Sequence, residues 1–180
     1  TGGVPACPEP GGITAASPDT ESIVLLQHSS GTTGLQKGVA LSHGAVLRQL
    51  DAYGQALSLR PDDTIVSWLP LYHDMGLIGG ILQPLYVGRP NILMSPMSFL
   101  QKPYRWLSAI TRFRGTTSGG PNFAYELCVK RIDDAALAGL DLSCLRLAFN
   151  GAEAVSPDTV QRFEQRFARC GLRPATVTPV

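Results

Sequence analysis

Short apolar runs alternate along the chain with longer stretches whose apolar residues recur at helical spacing. Residues 22–27 form a short apolar run rich in β-forming residues, and they predict a buried strand. Residues 39–41 predict a second strand, after which Ser42 stands at the position of a helix N-cap. The apolar residues that then follow helical spacing are Val46, Leu47, Leu50, Tyr53 and Leu57. The ordered part of the chain is therefore expected to begin with two strands and a helix.

The same alternation continues to the last residue. Strands are predicted at residues 64–68, 91–94, 116–118, 146–150 and 175–178. Helices are predicted at residues 77–87, with an interruption near Pro84, and at 104–113, 121–132 and 156–171. This order predicts an α/β fold with a largely parallel sheet and flanking helices. In such a sheet, ligands bind at the carboxyl ends of the strands.

Composition and charge narrow the function. Residues 1–20 are rich in proline, glycine, alanine and serine and predict a linker or loosely ordered entry segment, with the folded part at residues 21–180. A net charge of +1 with 16% charged residues offers no basic field for nucleic acid. The apolar run at residues 76–87 is too short to span a membrane. The four cysteines form no C-x-x-C pair, and residues 1–20 lack the basic-then-apolar pattern of a secretory leader, so we expect no signal peptide and free thiols in a cytoplasmic protein.

One segment carries recognisable chemistry. Residues 29–38 read Ser-Ser-Gly-Thr-Thr-Gly-Leu-Gln-Lys-Gly, a stretch without acidic side chains. Glycines let a ligand approach the main chain closely, and successive backbone N–H groups in such a turn bind anions. The hydroxyl, glycine and lysine residues of the segment are Ser29, Ser30, Gly31, Thr32, Thr33, Gly34, Lys37 and Gly38. A plain flexible connector is the alternative, but the lysine and the preceding strand favour a polyphosphate site. A Walker loop is excluded, because Gln36 precedes the lysine and Gly38 follows it.

Three motifs give the chain a resemblance to the adenylate-forming superfamily. Residues 29–38 match its phosphate-binding signature except at Gln36, where proline is usual, and Ser42-His43 supplies the pair that follows. Residues 68–76, Trp-Leu-Pro-Leu-Tyr-His-Asp-Met-Gly, resemble the motif that borders the acyl and ATP pockets. Residues 149–154, Phe-Asn-Gly-Ala-Glu-Ala, resemble the motif that lies against adenine. Together with residues 118–128, these motifs are most similar to the fatty acyl-AMP ligase branch, and the resemblance runs from about residue 22 to residue 180.

The resemblance implies a two-step ligase reaction. ATP, with Mg²⁺, activates a fatty or other carboxylic acid as an acyl-adenylate, and the thiol of CoA or of an acyl carrier protein then takes the acyl group. Catalytic roles are implied for His73 and Lys37. Nucleotide binding is implied for Ser29, Ser30, Gly31, Thr32, Thr33, Gly34, Lys37 and Gly38. The further implied nucleotide-binding residues are Asn150, Gly151, Ala152 and Glu153. The implied substrate pocket consists of His73, Asp74, Met75, Gly119, Gly120, Pro121 and Asn122.

Several interpretations stay open at this level. Asp74 is as suited to capping a helix at Met75 as to contacting substrate. Residues 119–122 could form a strand-to-helix turn or a glycine-lined wall for the acyl chain. The family's metal-binding glutamate motif would begin beyond Val180, so no metal ligand is assigned and the 180-residue chain alone is expected not to complete adenylation. A non-catalytic nucleotide- or acyl-binding module is the alternative function.

Overall fold

The computed structural model describes residues 19–28 and 38–180. The chain divides into two compact units, residues 1–49 and residues 50–180. The predicted linker at residues 1–20 lies almost wholly outside the described residues, and so do residues 29–37 of the phosphate segment.

In the first unit, β1 (Ile23–His28) and β2 (Gly38–Ser42) pair antiparallel, with His28 opposite Gly38. The helix α1 (His43–Ala56) follows, and the Ser42 hydroxyl accepts a hydrogen bond from the Ala45 N–H at 3.3 Å, as an N-cap should. The predicted strands and cap are confirmed. The expectation that β1 is buried is wrong, since Ile23 and Leu26 are 63% and 66% exposed. The described residues of this unit form a two-stranded ribbon, and two strands alone leave their apolar face uncovered.

The second unit contains a five-stranded sheet in the order β4-β3-β5-β6-β7, and every neighbouring pair is parallel. The strands are β3 (Ile65–Ser67), β4 (Asn91–Leu93), β5 (Thr117–Gly120), β6 (Leu147–Asn150) and β7 (Val177–Pro179). Each lies at a predicted position, so the α/β class is confirmed. Because β4 and β5 lie on opposite sides of β3, the strand order reverses between β3 and β5. Ligands of open parallel sheets bind at such a switch point, beside the carboxyl ends.

The helices of this unit flank the sheet. They are a π-helix (Met75–Leu82), α2 (Gln83–Val87), α3 (Pro96–Gln101), α4 (Tyr104–Phe113), α5 (Asn122–Arg131), α6 (Asp134–Leu137) and α7 (Pro157–Phe167), which a 3₁₀ turn (Ala168–Cys170) extends. The end of α7 at Gly171, with φ of +83°, is as predicted. The short helices α3 and α6 were not predicted, because six and four residues are too few to show helical periodicity.

The predicted interruption at Pro84 is wrong, because the helix changes pitch rather than stopping. The π-helix turns into α2 at Gln83, and Pro84 lies in the first turn of α2, where its missing N–H is tolerated. An α-helical residue 84 would have bonded the Gly80 carbonyl. The Asn91 side chain donates to that carbonyl instead, at 2.6 Å.

Aromatic side chains form the centre of the core. Trp68 stacks on Phe99 with ring centroids 4.0 Å apart, and Trp106 meets both rings edge-on. The series continues through Tyr125 to Phe163. Phe163 and Phe167, predicted as core residues, are 1% and 0% exposed. Trp68 directly follows β3, so the core extends to the carboxyl end of the sheet, where the predicted site lies.

Candidate functional site

The predicted site residues of the second unit all lie at or after the carboxyl ends of three adjacent strands, β3, β5 and β6. His73, Asp74 and Met75 lie after β3; Gly119, Gly120, Pro121 and Asn122 end β5 and begin α5; Asn150, Gly151, Ala152 and Glu153 end β6. A hydrogen bond between Asn122 and Asn150 joins the second group to the third, and Glu153 accepts from the N–H of Phe123, the next residue of α5. Among residues 50–180, no hydrogen bond joins His73 to either group. Lys37 and residues 29–34 lie outside the described residues, and Gly38 is the first residue of β2.

Gly119 and Gly120 are the buried last residues of β5, so the turn comes after them, at Pro121. A Cβ at Gly120 would lie 2.6 Å from Cζ2 of Trp68, and one at Gly119 would lie 2.4 Å from Cγ of Phe149. Both contacts are far shorter than carbon atoms allow. Close packing against two aromatic rings therefore accounts for both glycines without a ligand, and their place in a substrate pocket stays a prediction.

His73 fixes the start of the π-helix. Its Nδ1 accepts a hydrogen bond from the Met75 N–H at 3.2 Å, and its carbonyl accepts from the N–H groups of Gly76 and Leu77 at 2.9 and 2.8 Å. The Asp74 side chain makes no capping hydrogen bond, so the capping interpretation of Asp74 is wrong and His73 has that role. An Nδ1 that accepts carries no hydrogen, which assigns the ring N–H to Nε2. The exposed imidazole can thus donate from Nε2 to an incoming carboxylate.

Glu153 lies against the amino-terminal end of α5. Its Oε1 accepts a hydrogen bond from the Phe123 N–H at 2.7 Å. This N–H belongs to the first turn of the helix, where donors have no partner within the helix and the dipole favours a negative charge. The side chain is exposed otherwise, so Glu153 both neutralises the helix end and holds its own loop there.

Asn122 and Asn150 form a second connection between the same loops. Asn122 Oδ1 accepts from Asn150 Nδ2 at 3.2 Å and from the Ser156 N–H at 3.1 Å. Asn150 is 0% exposed, and within the described residues its Oδ1 has no hydrogen-bond partner. Between these contacts, Ala152 adopts a left-handed φ of +65°, which is unfavourable for a residue with a Cβ.

A buried tyrosine donates a hydrogen bond to the backbone near the carboxyl end of β6. The Tyr125 hydroxyl donates to the Phe149 carbonyl at 2.6 Å, and the side chain is completely buried. Burial raises the pKa of Tyr125 well above 10, because the phenolate would lose its hydration. The hydroxyl therefore stays a hydrogen-bond donor at any physiological pH.

Within residues 19–28 and 38–180, no group of three or more His, Cys, Asp or Glu side chains lies together as a metal site would require. Cys128, Cys144 and Cys170 are free thiols, whereas Cys7 lies outside the described residues. Over the same described ranges, no helix has the length and apolar character needed to cross a bilayer.

Comparison with known proteins decides the family. The AMP-binding enzyme family matches residues 5–176. The chain belongs to the AMP-binding enzyme family. This confirms the resemblance to adenylate-forming enzymes that the motifs predicted.

Individual members of the AMP-binding family are similar over nearly the whole chain. A medium-chain-fatty-acid–[acyl-carrier-protein] ligase, TtuA of Teredinibacter turnerae, is 46% identical over 92% of this chain, and its counterpart JamA of Moorena producens is 41% identical over 89%. A fatty acyl-adenylate ligase from L. pneumophila, solved in complex with acyl adenylate and pyrophosphate, is 46% identical over 90% of this chain with a TM-score of 0.86. The chain spans 26% and 27% of the two relatives and 29% of the solved chain, about a quarter of their length.

Two backbone groups that connect the loops are not predictable from the sequence. The Phe123 N–H that binds Glu153 is a backbone group, which no side-chain pattern reveals. Ser156 was predicted only as the start of α7, a role its hydroxyl fulfils by accepting from the Thr159 N–H at 3.3 Å. Its own N–H, bonded to Asn122, follows from the way the two loops meet in space.

Proposed function

We propose that this chain forms the ATP- and acyl-binding part of a fatty acyl-AMP ligase, with residues 21–180 as a portion of its adenylation domain. Such an enzyme activates a fatty or other carboxylic acid with ATP and passes the acyl group to the thiol of a carrier protein or CoA. The observation that carries the proposal is the 46% identity, at a TM-score of 0.86, to a ligase solved with acyl adenylate and pyrophosphate. The similarity to TtuA, a carrier-protein ligase, favours a carrier protein as the acceptor.

The proposed reaction has two steps, adenylation of the acid and transfer of the acyl group to a thiol. A carboxylate oxygen of the acid attacks the α-phosphorus of ATP, the bond to the bridging oxygen breaks, and pyrophosphate leaves. The sulfur of the acceptor thiol then attacks the acyl carbon, and AMP leaves as the thiol loses its proton. Negative charge builds on the leaving pyrophosphate in the first step, so donors aimed at the β- and γ-phosphates accelerate it.

Residues 29–38 have the composition for that task. Four hydroxyls, three glycines and Lys37 provide donors and one positive charge, with no carboxylate to repel a phosphate. We assign the phosphate grip to this segment, in which Ser29, Ser30, Thr32 and Thr33 supply the hydroxyls.

We assign the acid, its acyl chain and the rest of the nucleotide to the carboxyl edge of the sheet. The switch point lies between β3 and β5. Residues 73–75 follow β3 and residues 119–122 end β5 and begin α5, and we assign both segments to the acid and its acyl chain. Nε2 of His73 is the donor suited to hold the carboxylate before attack. Residues 150–153 follow the next strand, and we assign them to the nucleotide.

Mg²⁺ would supply charge neutralisation on the phosphates in this reaction. The residues described here offer no cluster of acidic ligands that fits such an ion, so no step is assigned through it.

A full-length chimaera provides the test. In this chimaeric ligase, the chain replaces the matching quarter of TtuA, and ATP–pyrophosphate exchange with a medium-chain fatty acid is measured. The Lys37→Ala variant should lose roughly a hundredfold in rate, because one phosphate donor of this kind is worth about that factor. Acyl transfer is then compared between a carrier protein and CoA.

The matched control is Lys102→Ala, an exposed lysine remote in sequence from every assigned segment, which should leave exchange unchanged. The 180-residue chain alone is expected to give no exchange. Equal rates for Lys37→Ala and the parent would contradict the phosphate grip. A chimaeric ligase that binds ATP without any exchange would instead favour the non-catalytic module.

A further inference from the structure

Two loops at the carboxyl edge of the sheet bind each other in both directions. Glu153, from the loop after β6, accepts from the Phe123 N–H in the first turn of α5 at 2.7 Å. Asn122, from that same first turn, accepts from the Ser156 N–H at 3.1 Å. Each loop thus offers a side-chain oxygen to a backbone N–H of the other, and both ends of the segment between Asn150 and Ser156 are held.

The hydrogen bond accepted by Glu153 belongs to a stronger class than the one accepted by Asn122. A carboxylate that accepts from a backbone N–H makes a charge-assisted bond, shorter and stronger than a neutral one. Here the donor is also at the positive end of the ten-residue helix α5. Glu153 and Phe123 are 30 residues apart, so the bond fixes the position of one loop on the other rather than a local turn.

The buried side chain of Asn150 adds a third hydrogen bond between the two loops. It is 0% exposed, so its side chain cannot touch a ligand in this conformation. Its Nδ2 donates to Asn122 Oδ1 at 3.2 Å, which fixes the orientation of the Asn122 amide that receives Ser156. Asn150 therefore acts through the loop and not on a ligand, and Oδ1 of Asn122 is occupied by two donors of the protein.

The loop between these contacts is strained and exposed. Ala152 has a φ of +65°, a conformation that a non-glycine residue keeps only when its surroundings enforce it. Residues 152–154 are exposed at the carboxyl edge, beside the end of β6. Without its two attachments, this short segment would relax toward an ordinary φ and move its backbone.

We propose that Glu153 and Asn122 form a latch, the pair of reciprocal side-chain-to-backbone bonds to Phe123 and Ser156, that positions residues 151–155 for the nucleotide. The inference rests on the proposed function for the identity of the ligand. It reassigns Glu153, Asn122 and Asn150 as positioning residues. The nucleotide then meets the backbone of the latched loop rather than the Glu153 carboxylate.

The test uses three variants of the chimaeric ligase: Glu153→Ala, Glu153→Gln and, as control, Asp62→Ala. Asp62 is an exposed carboxylate on the amino-terminal side of the sheet. Glu153→Ala should raise the KM for ATP roughly tenfold and change kcat by less than about threefold, the effect of one lost charge-assisted bond that orders a binding loop. Glu153→Gln should stay within about threefold of the parent, because an amide oxygen still accepts from the N–H. Hydrogen exchange of the Phe123 amide should accelerate only in Glu153→Ala, and Asp62→Ala should match the parent throughout.

Two outcomes would overturn the latch. If Glu153→Gln is as damaging as Glu153→Ala while the Phe123 amide stays protected, the carboxylate acts on the ligand itself. If Glu153→Ala has parental KM and amide exchange, the contact positions nothing. A parent chimaera without ATP–pyrophosphate exchange would count against the proposed function instead, and the Phe123 amide would still report whether Glu153 holds the loop.

Discussion

The two ends of the same parallel strands differ in how charged side chains and backbone strain are distributed. At the amino-terminal end, the buried carboxylate of Asp63 joins the segments that precede β3, β5 and β6. Its Oδ1 accepts from the Thr116 hydroxyl at 2.6 Å, and its Oδ2 accepts from Arg146 Nη2 at 2.6 Å and from the Arg60 N–H at 2.7 Å. At the carboxyl end, Asn150 Oδ1 is buried without a partner among the described residues, and Ala152 is held at a positive φ.

The Asp63 cluster has the charge balance of a structural clamp. Burial by itself would raise the pKa of Asp63, but hydrogen bonds from Thr116, Arg60 and Arg146 outweigh burial and hold this pKa below its ordinary value of 3.8. The Asp63 side chain is 1% exposed and that of Arg146 is 19% exposed, so solvent screens the pair little. Its partners are backbone and side-chain groups of the protein, and both carboxylate oxygens are used.

This comparison shows that the two ends use their polar side chains for different purposes. One end uses a charged network to connect the segments that precede three strands, and the other holds the strained Ala152 in an exposed loop where a ligand is expected. Residues in strained backbone conformations are typical of functional sites, since the surrounding fold must hold them. Substitutions at the two ends should therefore change the free energy of unfolding by different amounts.

The largest effect is expected at the clamp. Asp63→Ala leaves Arg146 without its partner and should lower the free energy of unfolding by about 3 kcal/mol, as breaking a buried ion pair does. Urea unfolding of the chain measures it. The adjacent exposed Asp62→Ala is the matched control and should change stability by less than about 0.5 kcal/mol. Equal values for the two variants would refute the clamp.

The same experiment has a pH dependence with a definite sign. The pKa of Asp63 is lowered in the folded state, so its contribution is complete above the ordinary carboxyl value of 3.8 and is lost as the pH falls through the folded pKa. The difference in stability between the parent and Asp63→Ala should shrink on acidification below about pH 4.

A smaller effect is expected where β5 meets the aromatic core. Gly120→Ala would place a Cβ 2.6 Å from Trp68 Cζ2, and Trp68 is held by stacking on Phe99. Such overpacking should destabilise the chain by about 2 kcal/mol in urea unfolding. Trp68→Phe removes the Cζ2 atom, so the double variant should be more stable than the sum of the two single changes predicts. Strict additivity would show that the two residues do not meet.

The smallest effect is expected in the loop after β6. Ala152→Gly relieves the φ of +65° and should stabilise the chain by up to about 1 kcal/mol, reduced by the greater freedom of glycine in the unfolded state. Ala154→Gly, in the same loop without a positive φ, should instead destabilise it by about 0.5 kcal/mol. Thermal unfolding compares the two, and the same sign for both would contradict the strain at Ala152.

Much of the fold was predictable because it depends on local patterns. Apolar runs bounded by turn residues located the strands of the sheet, and Ser42, Ser156 and Gly171 marked helix ends correctly. The π-helix was not predictable, since no side-chain pattern distinguishes it from an α-helix, and the close approach of Gly76 to the Pro70 carbonyl, where a Cβ would lie at 2.1 Å, is a tertiary contact. The predicted burial of β1 was wrong for a related reason. A run of apolar residues does not indicate which other element packs on it.

The sequence by itself determined the alternation of strands and helices, the composition of residues 29–38 and the motifs that identified the family. All of these are properties of residues close together along the chain. Only the tertiary structure decided that Asp63 meets Arg146, 83 residues away, that aromatic rings stand behind Gly119 and Gly120, and that Glu153 binds the N–H of Phe123. Contacts between residues far apart in sequence leave no periodic signal, and a backbone N–H has no sequence identity to recognise. For that reason the motifs located the candidate site, while the fold alone determined which of its side chains hold other protein groups.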